Sequence, residues 1–86
     1  EEVVKICGSH TVVELMRQGM SPEMACRKTV ERIVRKQGAK AKDLQVGFIA
    51  INRHGKIGGY ALQKGFSYAV HSNAGAKVYQ AKSIYA

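Results

Sequence analysis

The chain has 86 residues, with 14 Lys and Arg against 6 Asp and Glu, a formal net charge of +8, and 45% hydrophobic residues. That length holds one small domain or a piece of a larger one and excludes a second, since domains typically hold roughly 100–150 residues. So many core formers without a low-complexity tract exclude a disordered tail. No apolar run approaches the ~18–20 residues of a membrane-spanning helix, so a membrane protein is not expected. The opening Glu1-Glu2-Val3 also lacks the basic and long apolar regions of a secretory signal. A first residue that is Glu and not Met points to a processed chain, an engineered piece or an incomplete stretch of a longer one.

The first element reads as a helix over about 2–18, where apolar residues recur at spacings of three and four. Val4, Gly8, Thr11 and Leu15 trace one face, and Val3, Ile6, His10 and Val13 its neighbour, so packing on more than one side is expected. Gly8 inside it costs about 1 kcal/mol relative to Ala, which suggests a close approach by a neighbouring element. Gly19 then supplies a left-handed stop. Ser21-Pro22-Glu23 restarts a helix, with Ser21 as N-cap and Pro22 at the first helical position.

This second helix spans about 22–37. It buries Ala25, Cys26, Thr29 or Val30, Ile33 and Val34, turns Arg27, Lys28, Glu31, Arg32, Arg35 and Lys36 to solvent, and ends at Gly38. So short a link makes the two helices antiparallel neighbours. After a polar connector at residues 39–43 the period becomes that of strands, at about 44–52, 56–62, 66–71 and 76–80, followed by a tail. The turn Asn52-Arg53-His54-Gly55-Lys56 makes the first two antiparallel. Helices followed by strands give an α+β fold, two antiparallel helices on an antiparallel sheet of three to four strands. Phe48, Ile49, Ala50 and Ile51 in succession call for a sheet covered on both faces, yet two helices cover only one. A second cover is expected from outside these residues.

Candidate chemistry is sparse. His10 reads as a structural residue on an apolar helix face, His54 as exposed in a turn, and His71 as similar at a strand end; no two have a ligand spacing. Gly8-Ser9-His10 lacks the second glycine of a nucleophile elbow. Ile57-Gly58-Gly59-Tyr60 has no phosphate-loop spacing. The carboxylates Glu1, Glu2, Glu14, Glu23, Glu31 and Asp43 form no acid–base pair. Cys7 and Cys26 are too few for a disulfide scaffold and read as buried thiols, although a bridge between them stays open. Seven of the cations fall between Arg27 and Lys42, the clustering that a nucleic-acid footprint shows. They alternate with apolar positions as a solvated helix face does. Tyr60, Phe66 and Tyr68 also lack an RNA-stacking arrangement, so nucleic acid is not the expected partner.

The helical pair Val12-Val13-Glu14-Leu15-Met16-Arg17-Gln18-Gly19 and Ser21-Pro22-Glu23-Met24-Ala25-Cys26-Arg27-Lys28 resembles the β-chain of the glycosylasparaginase (aspartylglucosaminidase) family. So does the strand block Val46-Gly47-Phe48-Ile49-Ala50-Ile51-Asn52, with Gly55, Gly59-Tyr60 and Gly65-Phe66-Ser67-Tyr68-Ala69-Val70-His71. The likeness covers residues 1 to 72. It implies an N-terminal-nucleophile hydrolase with an αββα sandwich, made as a self-cleaving precursor, in which an N-terminal threonine attacks the side-chain amide of a glycosylated asparagine.

The family's nucleophile, substrate-holding Arg and Asp, and oxyanion loop all lie upstream of Glu1. No catalytic, substrate-binding or metal residue is therefore assigned here, and no cofactor is implied. Residues 1–86 are read as a fragment of a larger domain, one half of the sandwich and inactive alone. Its implied partners are the upstream β-chain segment and the α-chain, in a dimer of αβ units that is periplasmic or lysosomal. The alternatives are a plant-type asparaginase or isoaspartyl peptidase fragment, and an autonomous basic α+β module that binds nucleic acid.

Overall fold

A computed structural model describes residues 8–43, 45–72 and 75–85. Expectations for residues 2–7, Cys7 among them, for Leu44 and for the side chain of His71 lie outside the described residues.

Helix α1 (Gly8–Arg17) ends in a turn set by Gly19, whose φ of 105° only glycine adopts easily. Gly19 N–H donates to the Met16 carbonyl (2.9 Å) and Met20 N–H to that of Leu15 (3.2 Å), the paired bonds that close a helix C-terminus. Helix α2 (Pro22–Gln37) starts where expected: Ser21 Oγ accepts from Met24 N–H at 3.2 Å, and Pro22 occupies the first turn. At its end Gly38 N–H reaches the Val34 carbonyl. The polar connector is a 3-10 helix (Gly38–Asp43) that sends Ala41 fully into the core.

The strands are β1 (Gly47–Ile51), β2 (Ile57–Ala61), β3 (Ser67–Ser72), β4 (Gly75–Gln80) and β5 (Lys82–Ser83). β1 and β2 pair antiparallel in the register Phe48↔Tyr60 and Ala50↔Gly58. Phe48, Ala50, Tyr60 and Leu62 therefore face the helices, where they meet Val12, Leu15, Ala25, Cys26, Val30 and Ala41. Each large apolar side chain fully buried there contributes about 1.5–3 kcal/mol. Thr29, the buried polar residue on this face of α2, donates its hydroxyl to the Ala25 carbonyl at 2.9 Å.

The α+β class and the helix-on-sheet layering are as expected, but the strands divide differently. The expected single meander is two sheets, β1-β2-β5 and the separate hairpin β3-β4. The second edge of β2 is occupied: β5, in what read as a tail, lies parallel to it with Tyr60↔Lys82 and Ala61↔Ser83. Helix α1 also differs from expectation, because it buries one side only. Gly8, Thr11, Val12 and Leu15 are buried, while His10 is exposed and Val13 is 54% exposed. At 3.6 residues per turn His10 and Val13 fall opposite the Gly8–Leu15 stripe, away from α2.

Candidate docking surface

The residues that could carry chemistry are dispersed. His10 stands on the outer side of α1, and His54 is exposed in the β1–β2 turn, where its N–H donates to Asn52 Oδ1 at 2.9 Å. Among the described residues each helical carboxylate meets cations. Glu14 pairs with Arg17 (3.8 Å), Glu31 with Arg27 (3.2 Å) and Lys28 (3.6 Å), and Glu23 with Lys82 (3.4 Å). Among the described residues no three His, Cys, Asp or Glu gather as a metal site would need. Cys26 is a buried free thiol; burial first and the Glu23 charge second push its pKa from 9.0 up to about 11, the opposite of an activated nucleophile.

The basic stretch is a solvated helix face. Arg27 and Lys28 share Glu31, and the Arg27 guanidinium lies 5.8 Å from the centre of the Tyr60 ring. Tyr60 itself is buried against the helices and Tyr68 stacks on Tyr79, ring centres 5.6 Å apart, so no open aromatic platform adjoins the cations. No described helix is long and apolar enough to cross a membrane.

What the molecule does offer is the outer side of the β1–β2 ribbon. Alternation along the two strands that puts Phe48, Ala50 and Tyr60 under the helices puts Ile49, Ile51, Ile57 and Gly59 on the opposite face. Ile49 remains 55% exposed and Ile51 63%. The β3-β4 hairpin leans over part of this face. A Cβ at Gly47 would stand 2.6 Å from the Phe66 ring, and one at Gly59 2.8 Å from that of Tyr68, so both rings rest where the strands carry no side chain. Between hairpin and ribbon runs an apolar cleft of about 290 Å³, lined by Ile49, Ile51, Ile57, Tyr68 and Val70. Sequence reasoning inferred a second cover from the run at residues 48–51, and in the structure the hairpin covers part of that face while Ile49 and Ile51 stay exposed.

A sequence profile described as "Asparaginase" matches residues 1–80. The chain belongs to the asparaginase family. Members of this family are N-terminal-nucleophile amidohydrolases. The chain is also similar to the N(4)-(Beta-N-acetylglucosaminyl)-L-asparaginase of Elizabethkingia miricola, with 51% identity over 78 residues. That alignment takes in 87% of this chain and 23% of the relative, so the chain spans about a quarter of that asparaginase-family enzyme.

Proposed function

We propose that this chain is the non-catalytic C-terminal portion of an N(4)-(β-N-acetylglucosaminyl)-L-asparaginase, which hydrolyses the amide joining a glycan to asparagine. The 51% identity to an enzyme of that name carries the proposal. The nucleophile is an N-terminal threonine in the upstream part of the same precursor. Its hydroxyl attacks the side-chain carbonyl with its own α-amino group as base, the glycosylamine leaves, and water hydrolyses the aspartyl ester. The present residues brace that site from behind: α1 and α2 cover one side of the sheet, and its apolar outer side receives the second sheet of an αββα sandwich. The exposed Ile49, Ile51 and Ile57 support this, since apolar side chains gathered on one face mark a surface that something covers. The working enzyme is a dimer of αβ units, and a periplasmic or lysosomal location follows from family resemblance.

The test is to produce the remainder of the precursor with and without this chain and to assay aspartyl-glucosamine, L-asparagine and an isoaspartyl dipeptide. Hydrolysis of aspartyl-glucosamine only when both parts are present is expected, with this chain alone inactive. Full activity without the chain would overturn the scaffolding role. Turnover of asparagine or the isoaspartyl dipeptide in preference to the glycosylated substrate would favour the second reading, a plant-type asparaginase, which the broader family description leaves in view.

A further inference from the structure

β2 has two edges, and β1 holds one of them by an antiparallel ladder five residues long. On the other, the carbonyls of Ala61 and Leu62 accept from Ile84 N–H (3.1 Å) and Tyr85 N–H (3.0 Å). Side chains fasten this short parallel contact. Tyr60 hydroxyl donates to the Ser83 carbonyl at 3.4 Å, Lys82 Nζ lies 3.4 Å from Glu23, and Ile84 and Tyr85 pack against the helical core.

A second claimant to the same edge is close in sequence. β3 follows β2 after residues 62–66, a turn in which Gly65 takes a φ of 104°, and strands joined so closely normally pair antiparallel. Such a ladder would be longer than the two residues of β5, and antiparallel pairing is slightly more stable per residue. In the structure β3 is off that edge and residues 82–85 are on it, while the Ala81 N–H stays with the hairpin, donating to the Phe66 carbonyl at 2.9 Å.

We propose that residues 82–85 are a displaceable strap that competes with β3 for the edge of β2. With the strap docked, β3 and β4 lean over the outer face with Phe66 above Gly47 and Tyr68 above Gly59. With the strap released, β3 pairs with β2, the strands become one sheet in the order β1-β2-β3-β4, and the Ile49–Ile51–Ile57 face is cleared. That this clearing admits the second sheet rests on the function proposed above; the exchange of strands does not.

Amide hydrogen exchange on the complete chain, resolved by residue, tests the strap without any activity measurement. In the unmodified chain the Ile84 and Tyr85 amides should exchange at least about tenfold more slowly than in an unstructured peptide. The double variant Ile84→Pro, Tyr85→Pro removes both donors, and the β3 amides not bonded to β4 should then slow by about tenfold as they find β2. Should that variant not fold, Lys82→Glu, which sets like charges against Glu23 and spares every backbone donor, should move both sets of amides in the same directions by a smaller factor. Unprotected Ile84 and Tyr85 amides in the unmodified chain would overturn the proposal. So would a released strap with β3 exchange unchanged.

Discussion

Gly58 and Gly59 are neighbours in β2 and answer to opposite faces. A Cβ on Gly58 would run into the backbone of Glu23, where α2 begins, and backbone cannot swing aside as a side chain can. Gly58→Ala is expected to force strand and helix apart at a cost of about 1–3 kcal/mol, read as a lower denaturant midpoint at unchanged slope. A Cβ on Gly59 meets mainly the edge of the Tyr68 ring, which can tilt away, so Gly59→Ala should cost less. Cys26 makes a prediction of a different kind. Its folded-state pKa of about 11 exceeds the ordinary 9.0, so the folded chain holds the thiol proton more tightly than the unfolded one. The stability linked to it is whole below pH 9 and declines as pH rises toward 11, which unfolding titrations across that window would detect and a Cys26→Ala variant would lose. At pH 8 the peptide containing Cys26 should resist alkylation in the folded chain and react once the chain is unfolded.

The β1–β2 connection is a turn organised by one side chain. Asn52 Oδ1 accepts from the N–H groups of His54 and Lys56, both at 2.9 Å, and Gly55 takes a φ of 83° beneath them. Asn52→Ala should cost about 1–2 kcal/mol through the lost acceptor, while Asn52→Asp, which keeps it, should restore most of the melting temperature. This turn and α2 were legible in the sequence because their determinants are local: Asn52 and Gly55 in one case, Ser21-Pro22 and Gly38 in the other. The 3-10 helix was not, since Lys40, Lys42 and Asp43 mask the single core residue Ala41. β5 was missed for a deeper reason. Its pairing joins residues 60 and 82, and no periodicity reports contacts between distant segments; Ile84 and Tyr85 in an otherwise polar tail were the available hint. His10 was misplaced because a helix with apolar residues on adjoining faces does not say which face its partner will choose.

Taken together, the described residues form two layers, only 19 Å deep at their thinnest, with a core on the helix side and isoleucines on the other. That β1 is apolar on both faces was readable from four successive apolar residues. Replacing Ile49 and Ile51 together by Lys should leave the helix-side core intact, because both point away from it. In the isolated chain the double variant should reduce self-association seen by light scattering. On the function proposed above, the same variant in the complete enzyme should cut glycoasparagine hydrolysis by tenfold or more through failed assembly, a drop that added salt would not repair.

The parallel ladder also fixes an order of events. β1–β2 and β3–β4 each close over a short turn and belong to the microsecond regime of hairpin formation. The finished β3–β4 hairpin sets Gln80 beside Ser67, and the Ala81 N–H donates to the Phe66 carbonyl at 2.9 Å, so residues 82–85 reach β2 most readily once that hairpin has shortened the loop between them. The docking of residues 82–85 is thus the closing step, made by a chain whose two hairpins are already formed. Refolding of this chain should therefore show a phase whose rate depends on Ile84 and Tyr85 and which is absent when residues 81–86 are removed.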